Sequence, residues 1–147
     1  MRDRSPIQTV AMLVGLVFLL VGILGFIPGI TTNYDDLKFA GHNSDAQLLG
    51  IFDVSILHNI VHLLFGVAGL ALGRTIEGAR TFLAGGGLIY LVLFVYGAIW
   101  HDEASTNWIP VDWADNVLHL VLGIGMVVAG VVLAKDVVRR DRPAPAV

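Results

Sequence analysis

The residues best suited to chemistry form two matching groups of histidine, asparagine and carboxylate. The groups are His58, Asn59 and His62, and Asp115, Asn116 and His119. In each group the first and last residues are four positions apart, a spacing that places them on one face of a helix. If the two helices meet, three imidazoles and one carboxylate face a common point. His101, which follows another apolar stretch, is a candidate for the rim of this site.

Three interpretations of these residues stay open. In the first they form a structural polar network that includes Asn59, Asn116 and His101, where interhelical hydrogen bonds contribute about 0.6 kcal/mol each. In the second a divalent metal is bound by imidazole and carboxylate, and can activate a water molecule; its ligands would be His58, His62, Asp115 and His119. In the third, His62 and His119 are the two axial ligands of haem b. The three interpretations thus leave three possibilities for the cofactor: none, a divalent metal or haem b.

Composition places the chain in a membrane. It is 56% hydrophobic and 14% charged, against about 25% charged residues in soluble domains, and its mean hydropathy is +0.77. At 147 residues it is one domain. It has no cysteine, which excludes a disulfide framework, a thiol nucleophile and thiolate metal sites. No P-loop or G-x-S-x-G motif is present, so no catalytic residue is assigned and an enzyme is the less favoured class.

Four long uncharged stretches must position the polar residues. A membrane-spanning helix needs about 20 mostly apolar residues. The predicted spans are 7–28, 54–73, 81–100 and 115–134. We expect an all-α integral membrane protein, a four-helix bundle. The first span is longer than the apolar region of a signal peptide, and we interpret it as retained.

The distribution of charge predicts the orientation. Short loops rich in lysine and arginine face the cytoplasm. Arg2 and Arg4 precede the first span, Arg74 and Arg80 join the second to the third, and further basic residues follow the fourth. The two other loops are acidic. We therefore predict both termini on the cytoplasmic side of a bacterial inner membrane.

The long outer loop, 29–53, contains a pattern typical of a helix start. Ser44 with Gln47 fits a capping box, and apolar residues follow up to Phe52. This predicts a short interfacial helix that runs into the second span. Tryptophans flanking the outer ends of spans three and four are typical of an aromatic belt; they are Trp100, Trp108 and Trp113. The cytoplasmic tail, 135–147, ends in a proline-rich segment that we expect to be disordered.

An internal duplication relates the two halves of the chain. An offset of 57 places Asn59, His62 and Gly66 on Asn116, His119 and Gly123, and an offset of 72 places Gly15, Phe18 and Gly25 on Gly87, Tyr90 and Gly97. The protein would then consist of two helical hairpins. Both hairpins begin on the inside, so they are parallel repeats related by an axis along the membrane normal.

The duplicated positions recur at spacings of three and four, which keeps them on one helix face. Membrane helices associate through small residues and interhelical hydrogen bonds. We therefore expect these faces to turn inward or to bind a second copy. The predicted packing glycines are Gly15, Gly22, Gly25, Gly66, Gly69, Gly87, Gly97 and Gly123.

A family resemblance rests on two motifs. The segment from Leu57 to Gly69, LHNIVHLLFGVAG, and the segment from Ala114 to Leu120, ADNVLHL, resemble a bacterial membrane family catalogued as domain of unknown function number 4383. The resemblance covers residues 7–134 and implies a four-helix membrane protein of this size. It implies no activity.

The sequence favours a non-enzymatic membrane protein, a structural or accessory component of a larger complex. The alternative is a protein that binds a metal or haem b at the histidines. The expected partners are the lipid bilayer and a membrane protein or a second copy of the chain. The basic residues are few and lie at membrane boundaries, so no nucleic acid is expected.

Overall fold

Four α-helices account for most of the structure, a computed structural model that describes residues 4–40, 44–100 and 112–140. They are α1 (Pro6–Leu24), α2 (Ile56–Leu72), α3 (Ile76–Trp100) and α4 (Trp113–Arg140). Between α1 and α2 lie three two-residue strands and one 3-10 turn (Tyr34–Asp36). The strands are β1 (Thr31–Thr32), β2 (Gln47–Leu48) and β3 (Phe52–Asp53).

Side-chain caps explain where three of the helices begin. The hydroxyl of Ser55 accepts a hydrogen bond from the backbone N–H of His58 at 3.1 Å, and Thr75 Oγ1 accepts from Gly78 at 3.0 Å. Asp112 Oδ1 accepts from the N–H of Asp115 at 2.7 Å. Such caps satisfy backbone donors that have no partner inside the helix. Short polar signals in the sequence thus set the first turns of α2, α3 and α4.

Three of the helices, α1, α3 and α4, are long and apolar enough to cross a membrane. The fourth, α2, has 17 residues, near the lower limit for a spanning helix. The observed bounds differ from the predicted spans. Helix α1 stops at Leu24 rather than at residue 28, and α3 begins at Ile76, five positions early. Gly25 caps α1, and Pro28 cannot continue a helical hydrogen-bond ladder.

The helices pack mainly in pairs, α1 on α2 and α3 on α4, with smaller contacts between the pairs. Their shared core contains Phe18, Phe82, Leu83, Tyr90 and Met126. Large apolar side chains cover the opposite faces and are exposed, among them Leu13, Leu64, Val92 and Val121. An apolar outside around an apolar and polar inside is the arrangement expected of helices in lipid.

The 29–53 loop corrects one prediction. In place of a helix after Ser44, β2 pairs with β1 and with β3 in antiparallel register, Leu48 opposite both Thr31 and Phe52. Leu49 and Gly50 have φ of 57° and 70°, left-handed values that turn the chain and that a helix does not tolerate. The hydroxyl of Ser44 donates to the carbonyl of Val54 at 2.6 Å, and so does not cap a helix.

The loop is held against the end of α1 by a small apolar cluster. Ala46, Leu48 and Val54 are buried there, packed against Val21 and Leu24 of α1. Thr31 Oγ1 donates to the carbonyls of Leu24 and Gly25, both at 3.2 Å. We call this end of the molecule the loop end. The predictions for His101, Trp108 and the proline-rich tail 142–147 lie outside the described residues.

Candidate functional site at the loop end

The two predicted groups lie in the first two turns of α2 and α4, which both begin at the loop end. Asn59 and Asn116 are fully buried, and Asp115, His62 and His119 are each less than a tenth exposed. His58 is half-buried. Its ring stacks on that of His62, with centroids 4.6 Å apart and planes at 10°. The site is therefore an enclosed polar layer within apolar helices.

Five rings form a continuous row through this layer, which we call the aromatic ladder. It runs from His58 to His62, Phe18, Tyr90 and His119. Phe18 meets the edge of His62 at 5.4 Å, stacks on Tyr90 at 5.3 Å, and Tyr90 meets His119 at 5.2 Å. Each helix contributes at least one ring. The two histidines predicted to be paired ligands are thus separated by a stacked Phe–Tyr pair.

Each buried asparagine occupies the space left by a glycine on the neighbouring helix. A Cβ at Gly25 would collide with the carboxamide of Asn59, and a Cβ at Gly97 would collide with that of Asn116. Gly97 follows Gly25 by 72 residues, and Asn116 follows Asn59 by 57. The two contacts therefore occur at positions that the sequence offsets also match.

At other predicted packing glycines, two neighbouring helices approach each other closely. A Cβ on Gly15 would lie 2.9 Å from the backbone of Gly69, and one on Gly87 would lie 2.8 Å from the carbonyl of Gly123. Gly66 and Gly22 meet Leu19 and Leu63 in the same way. Atoms of the partner helix thus fill the space beside these glycines, which a porphyrin would need in order to lie between the helices. The residues as arranged do not fit haem b between His62 and His119.

Several buried polar atoms of the site have no hydrogen-bond partner within the described part of the chain. They are both amide atoms of Asn59 and of Asn116, Nδ1 of His62 and of His119, and Oδ2 of Asp115. Buried polar groups are satisfied in the large majority of cases, so these atoms are the ones in the site that could bind a further group. Among the described residues, Asn59 and Asn116 do not form the interhelical hydrogen bonds that our first interpretation expected, and His101, its third member, lies outside the described residues.

The predicted metal ligands lie in the same layer but do not converge. In residues 4–40, 44–100 and 112–134, no group of three or more His, Asp or Glu side chains is arranged to hold a metal ion. His119 is near enough to His58 and His62 to interact electrostatically, and Asp53 and Asp112 act likewise on Asp115. The metal site therefore stays a prediction.

Sequence reasoning overlooked the central role of Phe18 and Tyr90. Both were assigned to inward-facing helix surfaces, but nothing local indicated that their rings stack between the histidines. The available signal was that Phe18 and Tyr90, 72 residues apart, occupy matching positions in the predicted duplication.

The helices and the buried site define a class: a small helical membrane protein with a polar and aromatic layer at one end. Residues 8–132 match the family described as Domain of unknown function (DUF4383), and the chain belongs to that family. The expected resemblance is thereby confirmed. No curated protein and no solved structure matches the chain at a significant level.

Proposed function

We propose that this chain is a non-enzymatic structural or accessory component of the bacterial plasma membrane, with four crossing helices and both termini in the cytoplasm. The aromatic ladder is the observation that supports this most. Rings from all four helices fill the region where the histidines would otherwise meet. Aromatic pairs of this geometry contribute about 0.5–1.5 kcal/mol each beyond burial. The polar layer would then align the helices rather than hold a reactant.

We also propose that α1–α2 and α3–α4 are parallel repeats forming one bundle. Two ring contacts support this, Phe18 with His62 and Tyr90 with His119, because their distances are 5.4 and 5.2 Å and their planes meet at 81° and 73°. The helix caps support it too, since Ser55 and Asp112 are 57 residues apart. The Phe18–Tyr90 stack would lie on the axis relating the halves.

The outer faces would carry the interactions of such a component. Exposed leucine and valine side chains run along the outside of all four helices. In a bilayer they contact lipid, and a membrane-protein partner or a second copy of the chain would bind there through the same side chains.

Replacing the two ladder histidines that contact Phe18 and Tyr90 tests the structural role. The His62→Asn/His119→Asn variant loses the two edge contacts to Phe18 and Tyr90. We expect the free energy of unfolding of this variant in mixed micelles to fall by about 1–3 kcal/mol. We also expect the parent protein to show no Soret band and no stoichiometric metal. His58→Asn is the comparison variant, because it removes only the stack on His62 at the half-buried end of the ladder, and it should cost less than the double substitution. Unchanged stability together with loss of a bound chromophore or metal would contradict the proposal.

A second candidate function is divalent-metal binding at the polar layer, favoured by the unpaired buried atoms. Nδ1 of His62 and of His119 and Oδ2 of Asp115 are the kinds of donor that zinc binds. Because the ladder separates the two histidines, a metal would require His119 or His62 to change rotamer.

Isothermal titration calorimetry, with Zn²⁺ added to the detergent-purified protein, tests this second candidate. Saturable binding that is lost in Asp115→Asn and kept in Asp36→Asn would support it, because Asp36 is exposed in the 29–53 loop. Binding that neither substitution changes, or no binding, would refute it.

A further inference from the structure

A groove of about 440 Å³ lies on the outer surface between the first half of α1 and the end of α2, far along the helices from the loop end. Its volume is within the range of about 300–1,000 Å³ typical of ligand clefts. Seven residues line it: Arg4, Thr9, Met12, Leu13, Leu16, Leu70 and Arg74. Polar and apolar side chains occupy opposite ends of the groove.

The polar end of the groove has two exposed arginines, Arg4 and Arg74. The side-chain amide of Gln8 donates to the carbonyl of Arg74 at 2.6 Å, which joins the segment after α2 to the first turn of α1. Within the described residues no carboxylate forms an ion pair with either guanidinium. Arginine matches phosphate oxygens with paired donors, so this end suits a phosphate group.

The apolar end follows one face of α1. Thr9, Met12, Leu13 and Leu16 recur at spacings that share a helix face, and Leu13 and Leu16 are 56% and 47% exposed. The absence of a side chain at Gly73 lets Met12 approach α2, since a Cβ there would lie 2.7 Å from Met12 Cγ. From Thr9 to Leu16 the helix rises roughly 10 Å. The groove therefore changes from charged to apolar along the helix axis.

We propose that this groove binds one anionic phospholipid. Its phosphate lies between Arg4 and Arg74, and one acyl chain runs along Met12, Leu16 and Leu70. The charge order of the groove matches that of a lipid, whose headgroup meets the basic residues at a membrane surface while its chains lie deeper. The inference is independent of the role proposed for the aromatic ladder.

Charge also argues against a second copy as the occupant. A symmetric dimer brings the same surface of both chains together, so the arginines of one copy would face those of the other. Like charges at an interface disfavour association. A phosphate diester supplies the opposite charge at that position.

Native mass spectrometry of the full chain, released from detergent micelles, tests the proposal. Phosphatidylglycerol, phosphatidylcholine and inorganic phosphate are titrated separately. Arg4→Gln/Arg74→Gln removes the phosphate site, and Arg80→Gln is its control, because Arg80 is exposed in the same region but does not line the groove. Leu16→Trp fills the apolar end, and Leu20→Trp, at a position 48% exposed on α1 outside the groove, is its control.

We expect one phosphatidylglycerol per chain, bound at least tenfold tighter than phosphatidylcholine. The double arginine variant should weaken its binding roughly 10- to 30-fold, and Leu16→Trp should remove the adduct, while both controls retain it. If the double variant does not fold, the Leu16 and Leu20 pair decides. Equal binding of both lipids, phosphatidylglycerol binding that survives Leu16→Trp, or saturation by inorganic phosphate at the same concentration would each overturn the proposal.

Discussion

Asn59 and Asn116 show at the scale of single residues how this interior is built. Each carboxamide is fully buried against a glycine of the neighbouring helix, Gly25 or Gly97. Lipid is as apolar as leucine, so large apolar side chains contribute little to the association of membrane helices. The association depends instead on small residues that let two helices approach closely. We therefore expect a methyl group added at either glycine to lower the free energy of unfolding.

Alanine at these glycines tests that view. Gly25→Ala and Gly97→Ala should each lower the free energy of unfolding by about 1–3 kcal/mol, because the asparagine must move to avoid the new Cβ. Unfolding in mixed micelles with increasing dodecyl sulfate, followed by circular dichroism, measures the change.

The chain offers matched controls for this experiment. Gly85 and Gly125 also lie inside helices, but a Cβ at either would meet nothing within 4 Å. Gly85→Ala and Gly125→Ala should leave stability unchanged or raise it by up to about 1 kcal/mol, since alanine is the better helix former. Equal losses at all four glycines would contradict the prediction, because a Cβ at Gly85 or Gly125 meets no other atom within 4 Å.

At the scale of elements, the starts of α2 and α4 correspond. Ser55 caps α2 through the N–H of His58, and Asp112 caps α4 through the N–H of Asp115. Each cap sets the first turn, and so determines where the polar residues of that turn face. The cap and the site residues are therefore part of one local structure.

Removing either cap should loosen its own helix start. We expect Ser55→Ala and Asp112→Ala each to cost about 1 kcal/mol and to speed amide hydrogen exchange at His58 or at Asp115 respectively, leaving the other helix protected. Ser55→Asp, which keeps an acceptor, should retain protection. Exchange that does not change in the alanine variants would mean that packing alone holds these turns.

In the 29–53 loop, the local sequence pattern predicted a helix where the structure has strands. The capping pattern at Ser44 was weak evidence for a helix, because the following segment contains Gly50 and must reverse direction within a few residues. Burial of Leu48 and Val54 against α1 favours strand pairing there. Tertiary contact thus overrode a local helix signal.

At the scale of the whole molecule, the asymmetry of basic and acidic loops predicts the orientation. The chain has no cysteine, so single-cysteine labelling has no background. Phe39→Cys, at a position 66% exposed in the 29–53 loop, should react with a membrane-impermeant maleimide in intact cells.

Glu77→Cys, exposed at the start of α3, should react only after the membrane is permeabilised. The two positions lie on loops of opposite predicted side, so each is the control for the other. The reverse pattern of labelling would refute the predicted orientation, and labelling of both in intact cells would refute α2 as a spanning helix.

The sequence by itself determined the apolar helices, the membrane class and the family, because long apolar stretches and short motifs are local properties of the chain. It also identified the residues of the polar layer. Only the tertiary structure decided that Phe18 and Tyr90 stack between the histidines and that atoms of the neighbouring helices fill the space beside the packing glycines. The Phe18–Tyr90 stack joins residues 72 positions apart, and Gly15 meets Gly69 across 54 positions. Such contacts depend on how closely and in which register helices pack, and no local pattern in the chain encodes that geometry.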